Sequence, residues 1–228
     1  MGSLTVNKID RLFWMGRYAE RVNTTLRFMM NYYDKLIDDV QMPHADVCER
    51  LAIPDVYSSD ADFSRKFIFD GTNPDSLAVA ADRMLGNGMT LRETIGTDTL
   101  SYLQMAVNEL GHAEKSSAPM VVLQHVMDYI MAFRGNFDDR IIDESTRNII
   151  KCGFNVEKLS LCLRLGYPDS QCATEIGKLL SRLRNTPVRT RSAAFASLLK
   201  YADISDAGGK LPEDRSDLIT AAEEIIDV

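Results

Sequence analysis

The sequence predicts an all-α fold: an antiparallel helical bundle with an internally duplicated motif helix. Apolar residues recur every three or four positions along most of the chain, which places them on one face of a helix with about 3.6 residues per turn. No stretch sustains the alternation of apolar and polar residues that indicates a β-strand. Short connections separate the helical segments, and such connections favour antiparallel neighbours.

The first helix is predicted from Leu12 to Val40, with Asn7 as its candidate N-cap. A charged motif, Gly16 to Arg21, lies inside it. A charge within a densely packed helix needs partners, because burying an unpaired charge is costly. The apolar face of this helix is formed by Leu12, Met15, Ala19, Val22, Leu26, Met29, Tyr33, Leu36 and Val40.

Residues 41–73 are predicted to form an irregular connection, because prolines and a glycine interrupt the apolar pattern there. Two short helices are expected within it, at Ala45–Leu51 and Ala61–Phe69. Asn73-Pro74 is a typical helix start, in which a capping side chain precedes proline in the first turn. The helical pattern then continues to Ile95.

The rest of the chain is also predicted to be helical, and residues 186–228 are expected to form C-terminal helices. Gly135-Asn136 is expected to interrupt the apolar helix before it, since glycine disfavours helix interiors. We treat residues 1–228 as one domain, because a chain of this length that is 45% hydrophobic can bury one sizeable core. One helix is expected to begin at Thr97 or Asp98. Further helices are expected at Met120–Phe133, Asp143–Leu165, Pro168–Arg184, Ala193–Tyr201 and Glu213–Asp227.

The motif helix occurs twice in the sequence. Each copy reads glycine, four residues later a glutamate, then a basic residue and an apolar residue, and ends in Leu-Arg. The apolar face recurs in the same register, so we predict that two similar helices do the same job. Gly16, Glu20, Leu26 and Arg27 return as Gly153, Glu157, Leu163 and Arg164 at a constant offset of 137 residues, and Lys158 takes the place of Arg21.

The first copy, Leu12 to Arg21, resembles the opening of the alpha-E domain family, a bacterial all-helical domain named for its Glu-Arg motifs. Asn87 to Ile95 is similar to that family's central arginine-containing helix, and Gly153 to Arg164 resembles its second Glu-Arg helix, with Lys158 in place of the usual arginine. The resemblance extends from Leu4 to Arg164. It implies an all-α fold and an association with ATP-grasp peptide ligases and transglutaminase-like proteins that make or modify peptides.

If the two motif helices pack against each other, their charged residues are predicted to form one network. Residues seven positions apart share a helix face, as Glu20 and Arg27 do, and the two glycines would permit close approach of a partner. The network has two interpretations: a buried ionic clamp that fixes helix register, or an arginine-lined pocket for a carboxylate or phosphate. Its expected members are Arg17, Glu20, Arg21, Arg27, Glu157, Lys158 and Arg164, with Arg92 and Glu93 added by the family resemblance.

Composition and motifs exclude several other functions. With 26 basic and 33 acidic residues, a net charge of −7 disfavours nucleic-acid and anionic-membrane binding. No apolar run approaches the roughly 20 residues that span a bilayer, and the start lacks the apolar core of a signal peptide, so we expect a cytoplasmic protein. No cofactor loop is present, and Glu109 and His112 form a single Glu-x-x-His pair without the second that a di-iron site requires. We therefore expect no cofactor and no metal.

The four cysteines and a strip of basic residues are each interpreted in the simplest way. The cysteines lack metal-ligand spacing and are expected to be reduced thiols. The basic strip is expected to be a solvated edge, and its alternative is a docking site for an acidic partner. The cysteines are Cys48, Cys152, Cys162 and Cys172, and the strip is Lys178, Arg182, Arg184, Arg189 and Arg191.

Three functions remain. The first is a binding or accessory subunit whose partner is an ATP-grasp ligase or a transglutaminase-like protein. The second is an enzyme with an Arg/Glu pocket in the bundle core that acts on an amino acid or peptide, with Glu20 or Glu157 as the catalytic acid or base. The third is a structural helical homo-oligomer. We favour the first, because the family resemblance implies such partners and the sequence carries no catalytic signature.

Overall fold

The computed structural model describes residues 5–38, 42–206 and 209–227, without the side chains of residues 205 and 206. The described chain is helical, with one isolated antiparallel bridge between Thr190 and Ile226 and no strand, so the all-α fold class is confirmed. The predicted helix end at Val40 and the last residue, 228, lie outside the described part. The helices are α1 (Val6–Ile37), α2 (His44–Leu51), α3 (Asp60–Phe69), α4 (Leu77–Thr90), α5 (Arg92–Ile95), α6 (Thr97–Lys115), α7 (Pro119–Arg140), α8 (Glu144–Arg164), α9 (Asp169–Leu183), α10 (Ser192–Asp206) and α11 (Ser216–Glu223).

The chain divides into two compact units. The first unit is Met1–Glu20 together with Ile141–Val228, and the second unit is Arg21–Arg140. Helix α1 supplies residues to both, since the division falls between Glu20 and Arg21. The assignment of residues 1–228 to a single domain stays a prediction.

In the first unit, α8 is the central helix. Almost every residue from Ile149 to Leu163 is buried, so α8 is covered on all sides rather than on one face. It packs against α9 and α11, and α10 packs against both of these. The helix starts where the sequence predicts, because Asp143 caps it. The Asp143 carboxylate accepts the backbone N–H of Thr146 at 2.7 Å and its hydroxyl at 2.6 Å.

Removal of the Asp143 cap should destabilise the protein by about 1 kcal/mol, since Asp143→Ala leaves the backbone N–H of Thr146 without its acceptor. The Thr146 hydroxyl holds the pKa of Asp143 below its ordinary value. The contribution of the ionised Asp143 carboxylate to stability should therefore be fully present above the ordinary aspartate pKa of about 4. It should be lost as the pH falls through the lower pKa of Asp143 in the folded state. Chemical denaturation at pH 7 and pH 3 checks this. Asp143→Asn, which keeps an acceptor oxygen, should retain most stability at pH 7, and a loss as large as that of Asp143→Ala would contradict the capping role.

In the second unit, α6 packs against α4 and α7, and α3 and α5 pack against these helices. Helix α7 continues through Gly135-Asn136, so the predicted interruption is wrong. The buried rings of Phe133 and Phe137, with centroids 5.2 Å apart, lie on the core side of this turn. The burial of two aromatic side chains outweighs the cost of about 1 kcal/mol for a glycine in a helix.

The irregular connection contains the two predicted short helices, and a shared carboxylate links them. Asp60 Oδ1 accepts the backbone N–H of His44 at 2.7 Å and lies 2.7 Å from its ring Nδ1. The Tyr32 hydroxyl donates to the same oxygen at 3.2 Å. The hydrogen bond that the His44 ring donates to Asp60 raises the pKa of His44 above its ordinary value. This carboxylate therefore ties the starts of α2 and α3 to α1.

Several predicted helix ends are wrong by a few residues. Helix α1 begins before Asn7, because Thr5 caps it by accepting the Lys8 N–H on its hydroxyl oxygen at 3.3 Å. Helix α4 begins at Leu77 rather than at Pro74, since Ser76 is the cap. The last helices also differ from their predicted ends: α10 extends to Asp206, and α11 is limited to Ser216–Glu223.

Candidate functional site

The two motif helices cross at their glycines, where their backbones touch. A Cβ atom built on Gly16 would overlap the carbonyl oxygen of Ile150, and one built on Gly153 would overlap the carbonyl oxygen of Phe13. Ile150 is the repeat counterpart of Phe13, at the same offset of 137 residues that relates the glycines. Each glycine therefore meets the equivalent point of the other helix, so the crossing has an approximate two-fold symmetry.

The two helices run in the same direction through the crossing. Gly153 lies against Phe13, and one turn further along both helices Glu157 meets Arg17. Helices joined directly by a short loop would be antiparallel, and this pair runs parallel because residues 38–143 intervene. The crossing brings together the charged residues of both copies.

The carboxylates of the two copies are buried, and each lies beside a cation of the other helix. Glu20 and Glu157 are each only 2% exposed. Arg17 donates from Nε to Glu157 Oε2 at 2.8 Å, and Lys158 Nζ lies 3.7 Å from Glu20 Oε1. In a low-dielectric interior, the two members of such a pair stay together because their separation would leave an uncompensated buried charge.

The cations of these two pairs stand at different positions of the motif. Arg17, which pairs with Glu157, has the buried Phe154 as its repeat counterpart. Lys158, which pairs with Glu20, has Arg21 as its counterpart. The Arg17 pair has the shorter distance.

Aromatic rings cover the cations. The Arg17 guanidinium carbon lies 4.7 Å from the ring centroid of Trp14 and 5.9 Å from that of Phe13. Lys158 Nζ lies 5.8 Å from the ring of Tyr167. Ring faces attract cations, and this attraction is stronger where water is excluded. The rings therefore help to hold both side chains in place at the crossing.

Arg164 binds a partner that the sequence pattern did not identify. Its Nη2 donates to Glu223 Oε1 at 2.9 Å, and the Ser160 hydroxyl donates to the same oxygen at 2.6 Å. Glu223 ends α11, so this pair joins α8 to α11 rather than extending towards Glu157. Only its place in the last turn of an amphipathic C-terminal helix could have indicated Glu223.

The other predicted network members lie in the second unit. Arg21 directly follows Glu20 on α1 and is half-buried. Arg27 is exposed, and so are Arg92 and Glu93 at the start of α5. Arg92 donates from Nε to the Thr97 hydroxyl at 3.4 Å.

Some residues of the basic strip bind other side chains, and others are exposed to solvent. Arg182 donates to the side-chain oxygen of the buried Asn155, which in turn donates to Glu175 Oε2 at 2.6 Å. Lys178 pairs with the same glutamate at 2.8 Å. Arg191 pairs with Glu224, and Arg184 and Arg189 are exposed. The first half of the strip therefore holds α9 against α8, and Glu175 is a further residue that the sequence pattern missed.

The four thiols are buried, and burial raises their pKa values. The pKa of Cys48 is raised to about 11, and those of Cys152 and Cys162 to about 12. The thiolate is the reactive form, so we expect the native protein to resist alkylation by iodoacetamide at pH 8. Mass spectrometry should find four modified cysteines only after denaturation. A thiol that reacts rapidly in the native protein would contradict the burial.

Among the residues that the structure describes, no group of three or more His, Cys, Asp or Glu side chains could hold a metal ion. No helix in the same part of the chain has both the length and the apolar character needed to cross a bilayer.

One family model matches the chain. Residues 7–207 match Alpha-E, which is described as a predicted alpha-helical domain with a conserved ER motif. The two Glu-Arg or Glu-Lys sequences at the crossing, Glu20-Arg21 and Glu157-Lys158, both lie within the matched range. No curated protein and no solved structure matches the chain.

Proposed function

We propose a function for this chain from one premise: it belongs to the Alpha-E family. On that premise, we infer that the protein is a binding or accessory subunit of a cytoplasmic system that makes or modifies peptides. Its partner is an ATP-grasp ligase or a transglutaminase-like protein. The crossing of α1 and α8 is the rigid frame of this subunit, and the partner binds elsewhere on its surface.

The observation that carries this proposal is the burial of the motif's own carboxylates. Glu20 and Glu157 lie between packed helices, each beside a cation. A catalytic acid or base must come within hydrogen-bond reach of the proton that it transfers. A carboxylate closed off by two touching backbones does not meet a substrate, which supports a structural role for the motif.

An enzyme with an Arg/Glu pocket is the second candidate, and one observation favours it. The Lys158 side chain is 27% exposed, so solvent reaches the outer side of its pair with Glu20. Partly accessible charge pairs with buried partners also occur at active sites. Glu20→Gln separates the two functions. An active-site role predicts loss of turnover with a nearly unchanged melting temperature, whereas a structural role predicts a lower melting temperature.

Co-purification tests the accessory role. The full chain, carrying an affinity tag, should retain an ATP-grasp ligase or a transglutaminase-like protein from the same organism, and should change the rate of ATP-dependent peptide ligation. The ligase assayed alone is the control. A folded chain that retains neither protein and leaves the ligation rate unchanged would contradict the proposal. Sedimentation of the chain alone tests whether it self-associates.

A further inference from the structure

The His44 ring lies between two carboxylates that come from different parts of the second unit. Its Nδ1 lies 2.7 Å from Asp60 Oδ1 at the start of α3, and its Nε2 lies 3.5 Å from Asp55 Oδ1 in residues 52–59, the segment that joins α2 to α3. A neutral imidazole has one N–H group and can donate to only one carboxylate, whereas the protonated ring can donate to both. The position of the two carboxylates therefore favours the protonated form.

Aromatic side chains hold the His44 ring in this position. Phe63 stacks on it with the ring centroids 6.1 Å apart, and Tyr57 packs edge-on with the centroids 6.4 Å apart. The His44 side chain is only 18% exposed, so little water competes for its ring N–H groups. Among the described residues, Asp55 and Asp60 form no ion pair with a lysine or an arginine. Within that part of the chain, protonated His44 is therefore the cation that links them.

His44 is the group of this cluster whose charge changes around neutral pH. The titratable groups that surround its ring are Tyr32 from α1, Cys48 from α2, Asp55 and Tyr57 from residues 52–59, and Asp60 from α3. Burial raises the pKa of Tyr57 to about 12 and that of Cys48 to about 11, and it also raises the pKa of Tyr32. The N–H groups of His44 hold the pKa of Asp60 below its ordinary value, so this carboxylate stays ionised. A pH change near neutrality therefore acts on the cluster through His44.

We propose that His44 is a pH-sensitive switch that controls local opening of α2 and residues 52–59. The protonated ring binds Asp55 and Asp60 together, and so holds both of these parts against α3. The neutral ring keeps its N–H bond to Asp60, but the lone pair of Nε2 then faces the Asp55 carboxylate, and that link is lost. Residues 44–59 therefore open more often as the pH rises. The switch is independent of the accessory role, because it uses none of the motif charges.

The pH range of the switch follows from proton linkage. The hydrogen bond to Asp60 and the charge of Asp55 raise the pKa of His44 above its ordinary value of 6.5, although burial lowers it. In the opened segment both links are lost, and the pKa returns to about that value. The stabilisation is therefore fully present below pH 6.5 and is lost as the pH rises through the pKa of the closed form. Between these two values, the opening equilibrium should increase about tenfold per pH unit.

NMR of the full chain measures both sides of this linkage. Titration of the His44 Hε1 signal gives the pKa of the closed form. Amide hydrogen exchange, corrected for its intrinsic dependence on pH, gives the opening of α2 at Val47 and Cys48 and of the following segment at Tyr57. Opening at these amides should increase about tenfold for every pH unit by which the measured pKa exceeds 6.5. The same amides should be less protected than the amides of α7, because the segment opens without the rest of the unit.

Asp55→Asn tests the half of the switch that depends on Asp55. Asp55 is 40% exposed and accepts the Tyr57 N–H at 3.3 Å, and asparagine keeps a side-chain oxygen for that bond, so the variant should fold. It should lower the pKa of His44 and flatten the rise in opening. His112→Gln is the matched control, since His112 also lies beside a carboxylate, 3.6 Å from Glu109, but its side chain is 71% exposed. This control should leave the opening of α2 and its pH dependence unchanged.

Four results would each overturn the switch. The first three are a His44 ring that titrates at or below pH 6.5, opening at Val47, Cys48 and Tyr57 that is independent of pH, and an Asp55→Asn variant that changes neither quantity. The fourth is equal protection of the α2 and α7 amides, because the segment would then open only when the whole unit unfolds.

Discussion

Gly153→Ala should destabilise the protein by about 3 kcal/mol or more, one of the two largest effects expected of any single substitution in this chain. The added methyl group would overlap the carbonyl oxygen of Phe13 and lie 2.9 Å from the backbone nitrogen of Arg17. Backbone atoms of a helix cannot move aside as a flexible side chain can, so α1 and α8 would have to separate. Gly16→Ala should have a similar effect, since its methyl group would overlap the Ile150 carbonyl oxygen. Thermal and chemical denaturation measure both.

Gly135→Ala is the matched control for the glycine substitutions. Gly135 also lies inside a helix, but a Cβ there meets no atom within 4 Å. Alanine favours helix interiors by about 1 kcal/mol over glycine, so this variant should be as stable as the native protein or more stable. If Gly153→Ala and Gly135→Ala have equal stability, the close crossing of the motif helices is wrong.

Glu157→Ala should destabilise the protein by about 3–5 kcal/mol, because the substitution leaves the Arg17 guanidinium buried without its carboxylate. Arg17 is held between the Trp14 ring and Glu157, and its side chain is only 8% exposed, so it cannot easily turn to water. Glu20→Ala should have a smaller effect, since Lys158 is more exposed and can regain hydration. The midpoint of chemical denaturation gives both values.

An exposed pair provides the reference for this prediction. Arg191 and Glu224 lie 3.0 Å apart, but both side chains are more than half exposed. Exposed pairs are worth about 0–1 kcal/mol, so Glu224→Ala should change stability little. A Glu157→Ala variant as stable as Glu224→Ala would mean that water reaches the crossing, and the enzyme candidate would then gain support.

The sequence predicted the two motif helices because their determinants are local and repeated. Gly16 and Gly153 recur in register with the apolar face, and only glycine allows two helix backbones to touch. The limits of α8 followed from the Asp143 cap and the length of the apolar pattern. Repetition at a fixed offset thus indicated a pair of helices before any contact was known.

The partners of the motif charges could not be predicted in the same way. Arg27 lies on the same helix face as Glu20, but it is about 10 Å further along the axis, in the second unit, and there it is exposed. Arg164 binds Glu223, which lies 59 residues away on a different helix. Helical periodicity shows which residues share a face, but it does not show which helix covers that face.

The accuracy of the predicted helix starts was limited by competing capping residues. Asn7 and Asn73 are good capping residues, yet Thr5 and Ser76 cap α1 and α4. Asn73 instead accepts the N–H of Asp75 in the turn before α4. Several capping residues close together in the sequence leave the choice to the tertiary packing.

A double-mutant cycle on Arg17 and Glu157 tests most directly the claim that the motif charges hold the two helices together. Arg17→Met, Glu157→Met and the double variant are compared with the native protein by chemical denaturation. The account predicts that the double variant is at least about 1.5 kcal/mol more stable than the sum of the two single losses implies, because it leaves neither charge unpaired. Losses that add to within about 0.5 kcal/mol would show that the two groups do not stabilise each other and would contradict the account.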